Sequence, residues 1–137
     1  MENPKPSQIL MGHFEWSIKH LADSLKRPPS EYYQNAALQR LSFTFDLAKK
    51  TILAHADESG NSLSSASEWL NYAKERKWID DLALWEKFFN KINLMNDEKK
   101  AAPTKEMYDD LALINELFGS LYKRMLESIP KSPETYG

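Results

Sequence analysis

The stretch MYDDLALINELFGSLYKRM, residues 107–125, sets the fold class. Met107, Leu111, Ile114, Phe118, Leu121 and Met125 follow one another at steps of four, three, four, three and four. Those steps return to the same side of an α-helix, whereas a half-buried strand would alternate every second residue. A regular four-and-three spacing also suits helices packed side by side at shallow crossing angles. Upstream of it the same kind of pattern repeats. Leu10, Phe14, Ile18, Leu21 and Leu25 form a stripe within a helix expected over 8–26. Leu38, Leu41, Phe45, Ala48 and Ile52 form another within a long helix expected over 31–59, where Phe43 and Leu47 add a second apolar side. A helix apolar on two sides is central in a bundle or covered by another chain. Trp69, Leu70 and Ala73 mark a shorter helix to about Lys77, and Leu82, Trp85, Phe89 and Ile92 mark a fourth main stripe.

The punctuation agrees with the stripes. Pro28-Pro29 stops the first helix, and Ser30 is a suitable N-cap for the second. Gly60-Asn61 supplies a C-terminal stop. Ser65-Ala66-Ser67-Glu68 has the form of a capping box. Asp80-Asp81 places negative charge at the positive end of the fourth stripe, and Thr104 can cap the last helix after the polar connection 96–103. The reading is one all-α domain over 1–137, an antiparallel four-helix up-and-down bundle with an additional short helix. Its core spans about 8–128 and is followed by a loose tail, 129–137.

Composition narrows the chemistry. Apolar residues make up 42% and charged residues 28% of the 137, enough for one core, and the net charge of −2 leaves no strongly basic footprint for nucleic acid. No cysteine is present, so thiol catalysis, thiolate metal sites and disulfides are excluded. The opening residues show no signal-peptide pattern and no apolar run reaches a membrane span, so a cytoplasmic protein with no membrane association is expected. His13 and His20 lie seven apart, not at the four-residue spacing of a helical metal pair, and no metal ligand is assigned. The carboxylates fall mostly in adjacent pairs, Asp57-Glu58, Asp80-Asp81 and Asp109-Asp110, which point about 100° apart on a helix and do not converge. No phosphate-binding glycine loop or nucleophile elbow occurs, and neither catalytic residues nor a cofactor are assigned. Lys49-Lys50, the group Lys74, Arg76 and Lys77, and Lys99-Lys100 read as solvated helix surface. Trp16, Trp69, Trp78 and Trp85 form no ladder of the kind that stacks bases.

One segment departs from an ordinary amphipathic helix. In LQRLSFTFDLAKKTI, residues 38–52, Arg40, Thr44 and Asp46 are interleaved with large apolar residues. Arg40 and Thr44 share a face; Asp46 is too far round to pair with Arg40. A buried Arg40 would need a carboxylate or carbonyl from another helix or another chain. Arg40, Thr44, Asp46 and Lys50, with Asn93 from the fourth stripe, are the candidate ligand- or partner-binding residues. An ion pair within the bundle or across a dimer would explain Arg40 and Asp46 equally well.

This segment resembles the signature of the nucleotidyltransferase substrate-binding proteins, a branch of the HEPN superfamily, in which Gln-Arg-Phe-Glu-Phe-Thr-Phe-Glu-Leu-Ala-Trp-Lys lies on the second helix. Gln39, Arg40, Phe43, Thr44, Phe45, Leu47, Ala48 and Lys50 match; Asp46 replaces a glutamate, and Leu41, Ser42 and Lys49 replace Phe, Glu and Trp. Trp78-Ile79-Asp80-Asp81 with Trp85 is similar to the family's turn and next helix, and 108–126 to its last helix, so the resemblance covers about 8–128. It implies a homodimeric bundle that partners a separate small nucleotidyltransferase, often as a toxin–antitoxin pair, with nucleotide or nucleic acid reached through that partner. Many HEPN proteins are ribonucleases that use an Arg and, four to six residues later, a His. The corresponding stretch here is NKINLMND, residues 90–97, which sets Ile92 at the Arg position and Asp97 at the His position; a shift by one offers Lys91 but no His. The readings that stand beside a non-catalytic partner subunit are a degenerate HEPN ribonuclease toxin and a stand-alone dimeric interaction protein. A positioned acid or base contributes about 10²–10⁴-fold. The chain is therefore expected to leave structured and single-stranded RNA intact; cleavage abolished by changing Lys91 or Asp97 would show a rebuilt site.

Overall fold

The computed structural model describes residues 3–28, 30–63, 68–95 and 104–130. Among them are five helices and no strand: α1 (Pro6–Ser24), α2 (Glu31–Glu58), α3 (Glu68–Glu75), α4 (Leu82–Met95) and α5 (Thr104–Leu126). None is long and apolar enough to cross a membrane.

Local chemistry sets the helix ends. Pro6 sits at the start of α1, where its missing N–H costs nothing, so the helix begins two residues before the expected Gln8. Ser30 Oγ accepts from Tyr33 N at 3.3 Å and caps α2. Gly60 at φ +84° ends it; Asn61 N donates back to Ala56 O at 2.8 Å and Gly60 N to Asp57 O at 3.0 Å. This reciprocal pair satisfies carbonyls that the last turn leaves open. α3 ends by the same pair of bonds, Trp78 N to Ala73 O and Lys77 N to Lys74 O, but here Lys77 holds the left-handed position, at φ +64°. Asp81 Oδ1 accepts from Leu84 N at 3.0 Å, so Asp81 caps α4 and the helix starts at Leu82. Asp80 reaches in another direction. Its carboxylate takes both Arg124 terminal nitrogens, at 2.9 and 2.8 Å, and ties the α3–α4 turn to α5. Those bonds hold the Asp80 carboxyl below its usual range. The capping box expected at 65–68 begins outside the described residues, as does the connection 96–103. Thr104 stands as the first residue of α5, inside the helix rather than before it.

The stripes meet in one core. All six apolar positions of the α5 stripe and all five of the α2 stripe are buried. Phe45 sits at the centre, edge-on to Phe118 at 4.8 Å between ring centroids and to Trp85 at 5.8 Å. Phe118 in turn meets Phe14 at 5.9 Å and Trp85 at 5.5 Å, so rings from α1, α2, α4 and α5 converge. α3 closes one end, with Trp69 against Phe89 and Tyr72 against His55 and Trp78. His55 Nδ1 lies 2.8 Å from the Tyr72 hydroxyl; burial, then Arg76, lowers its pKa. Ile129, expected in the loose tail, is buried and belongs to the core; 131–137 lie outside the described residues.

Cross-helix contacts give the directions. Ser7 near the start of α1 donates N–H and hydroxyl to Glu58 at the end of α2, and Ser17 meets Thr44, so α1 and α2 are antiparallel. Trp85 with Phe118 and Lys91 with Asp110 make α4 and α5 antiparallel. Glu58 also brings its negative charge to the positive end of α1. The buried Tyr122 hydroxyl donates to Glu15 at 2.7 Å; burial and that carboxylate both push its pKa up.

A non-glycine residue in the left-handed region costs about 1–2 kcal/mol, part of which glycine returns as greater unfolded-chain entropy. Lys77→Gly is expected to raise the unfolding free energy by roughly 0.5–1 kcal/mol in urea titration. A loss would mean that the Lys77 side chain secures the turn.

Candidate functional site

The residues singled out from the sequence sit on α2 and α4, and the structure separates them into three environments. Thr44 is fully buried between α1 and α2. Its hydroxyl donates to Arg40 O one turn back at 2.7 Å and lies 2.5 Å from Ser17 Oγ. A hydroxyl has one proton. Because Thr44 spends its own on the carbonyl, Ser17 is the donor across the helix pair. Thr44 is thus a register pin within the core and is closed to ligands.

Asp46 and Asn93 come together. With Gln39, Ser42, Phe43 and Lys49 they line a groove of about 390 Å³ between α2 and α4, floored by Phe45, Phe89 and Ile92. Gln39, Ser42, Asp46 and Lys49 recur at three- and four-residue steps and so run down one flank of α2. Phe43 is 54% exposed on that flank, large for an aromatic side chain with no partner helix over it, and Leu94 beyond Asn93 is 38% exposed. Asp46 pairs with Lys50 on its own helix at 2.8 Å. The expectation that Asp46 must find its partner on another helix or chain is therefore corrected: α2 itself supplies it one turn on. Both groups are exposed, so the pair is worth only a few tenths of a kcal/mol. It arranges charge at the groove's edge rather than holding the fold.

Arg40 lies elsewhere. Residue 40 is turned about 100° from residue 39, which places it on the opposite flank, facing α1. Its side chain is exposed, and its guanidinium makes no hydrogen bond or ion pair among the described residues. Of the two ion pairs open to Arg40 from the sequence, the one within the bundle is not made among the described residues, and within a single chain the flank next to Thr44 is open to solvent. Of the two positions set by the resemblance against the family's arginine, Ile92 is buried in the core, and Lys91 reaches Asp110 of α5 at 4.0 Å. Asp97 lies outside the described residues. No group of three or more His, Asp or Glu suited to a metal occurs among the described residues.

Sequence reading missed Gln39, Ser42, Phe43 and Lys49 as groove residues. The signal was present as their common helical spacing, but Phe43 reads as core by composition and Lys49 as solvated surface. No protein-family model matches the chain, and no curated protein does.

The buried hydroxyl pair can be tested by a mutant cycle. Thr44→Val keeps the shape but leaves Ser17 Oγ without its acceptor, and is expected to cost about 1–3 kcal/mol. Adding Ser17→Ala should recover most of that loss in denaturant unfolding; strictly additive losses would contradict the pairing.

Proposed function

We propose that this chain is a non-catalytic HEPN-like binding subunit: an antiparallel four-helix bundle with one short additional helix, dimeric, acting in the cytoplasm beside a small nucleotidyltransferase that carries the catalysis, as one half of a toxin–antitoxin-type pair. The α2–α4 groove is where that partner docks. One observation carries the reading. The α2 stretch that resembles the family and the α4 stretch that stands where the family's ribonuclease motif would be line the same groove, through Gln39, Ser42, Asp46, Lys49 and Asn93. The groove has an exposed aromatic, Phe43, on a mixed-charge rim. An aromatic anchor ringed by polar groups suits association, where a few such residues dominate the energy. It does not suit RNA cleavage, because neither Lys91 nor Asn93 has a histidine to work with.

The resemblance extends to the homodimer, for which the exposed Trp16, Leu113 and Leu126 supply apolar area away from the groove. A stable interface buries about 800 Å² per partner. Two measurements test the reading. Light scattering at tens of micromolar should give a dimer of the 15.9 kDa chain, and a monomer would refute that part. Tagged chain recovered from its native cells should retain a small nucleotidyltransferase, identified by mass spectrometry. Phe43→Asp, which leaves the core untouched, should lose it by tenfold or more (about 1.4 kcal/mol). Retention of other proteins only, or a variant that holds the enzyme as the native chain does, would overturn the docking assignment.

A further inference from the structure

His55, near the end of α2, stands where four segments meet. Its ring is edge-on to Tyr72 of α3 and to Trp78 of the turn after it, at 5.9 and 5.2 Å between centroids. Its Nδ1 lies 2.8 Å from the Tyr72 hydroxyl. It also lines a cavity of about 120 Å³ with Glu58, with Lys5 and Ser7 at the start of α1, and with Ser128 and Ile129 beyond α5. We propose that His55 is a proton-sensitive latch: neutral, it holds α3 against α2; protonated, it lets α3 loosen and takes away the support beneath the docking groove.

The element most open to such control is α3. It has 8 residues, and isolated helices below about 12–15 residues are marginal in water, so its place depends on what its side chains touch. Tyr72 meets His55, and Trp69 is edge-on to Phe89 of α4 at 5.4 Å. Phe89 is part of the floor of the α2–α4 groove, and the buried Trp69 backs that floor. When α3 loosens, Trp69 goes with it and Phe89 loses its backing. The regulated contact is thus the docking site proposed above, reached from behind rather than through its rim.

Protonation works against the contact through hydrogen bonding and through charge. An imidazolium carries a hydrogen on both nitrogens, so Nδ1 can no longer accept from the Tyr72 hydroxyl. Two cations act on the half-buried ring: Arg76 of α3, whose guanidinium lies 4.8 Å from the Tyr72 centroid, and Lys5 before α1. Glu58 is the carboxylate that would balance the new charge. Its two oxygens already accept from the N–H and hydroxyl of Ser7, at 2.9 and 2.6 Å. Ser128, Ile129 and Pro130 line the same cavity and add no charge. Burial, then Arg76, accordingly holds His55 below its ordinary pKa of 6.5. With the folded value below the unfolded one, the latch is at full strength above pH 6.5 and weakens as pH falls through it toward the folded value.

Hydrogen exchange of the full chain, corrected for its intrinsic pH dependence, tests the latch at about pH 7.5 and about pH 5.5, which bracket the imidazole range and stay above that of carboxylates. Protection of the α3 amides should fall about threefold or more at the lower pH, while that of the α5 amides holds. His55→Asn keeps an amide near the Nδ1 position and takes no proton, so it should abolish the difference; His20→Asn, on α1, should leave it intact. Circular dichroism identifies a His55→Asn chain that has not folded. Arg76→Gln, at an exposed position, then replaces it and should shrink the difference by removing one of the two cations. The native chain should also retain about threefold less nucleotidyltransferase at the lower pH, with His55→Asn retaining equal amounts at both. That arm alone rests on the partner reading. Three results would overturn the proposal: equal α3 protection at both pH values, the same loss in a folded His55→Asn, or an α3 that loosens with no change in the enzyme retained. Absence of the enzyme at both pH values would refute the docking reading instead, and the exchange result then decides the latch.

Discussion

The edge contact between Phe45 and Phe118, 4.8 Å between ring centroids, is the point on which the rest depends. Phe45 comes from the longest helix and Phe118 from the most regular one, and Trp85 and Phe14 complete the cluster from the other two sides. Such edge contacts add about 0.5–1.5 kcal/mol each beyond the area they bury. Their larger effect is geometric. With Phe45 committed inward, α2 is fixed in rotation about its own axis. Gln39, Asp46 and Lys49 must then fall on one flank, and Tyr33, Ala36 and Arg40 on the other. The α2–α4 groove and a second one between α1 and α2, lined by His20, Arg27, Tyr33 and Arg40, are consequences of that single rotational choice.

Rings fix rotation more firmly than they fix sliding along the axis. Sliding is set by polar contacts with little tolerance: Ser17 with Thr44, Ser7 with Glu58, Tyr122 with Glu15 and Arg124 with Asp80. Each joins elements far apart in sequence, and each would lose a satisfied partner if a helix shifted by one turn. The Ser17–Thr44 pair also sets which α1 residues stand opposite Arg40. His20 and Arg27 are therefore placed by a hydroxyl pair buried between the two helices.

Much of the fold was legible because helical stripes are a property of spacing alone. The α2 and α5 stripes, Ser30 as cap and Gly60 as stop all follow from local rules, and each is found where those rules put it. The site was less legible, for reasons that differ by residue. Arg40 and Asp46 are near neighbours in sequence, and their spacing puts them on different flanks, but what lines each flank comes from other helices and does not follow from spacing. Asp46 found Lys50 by the ordinary i to i+4 route. Thr44 looked like a ligand group and is a core hydroxyl, which only the position of Ser17 on another helix reveals. The second groove has no linear signature, because Arg27 and Arg40 are joined by an antiparallel register rather than a motif. Lys77 at positive φ likewise has no sequence signal; glycine would have announced it.

The functional reading rests on the division of α2 into a buried face and two open flanks, and the pair Phe43 and Phe45 discriminates it. The two phenylalanines are chemically identical and two positions apart, yet one is 54% exposed and the other 2%. Urea unfolding of the two alanine variants tests the division most directly. Phe45→Ala should lose about 3–5 kcal/mol, as buried aromatic truncations do, whereas Phe43→Ala should stay within about 0.5 kcal/mol of the native chain, as surface changes do. Comparable losses at both positions would contradict the rotational setting of α2, and with it the placement of both grooves.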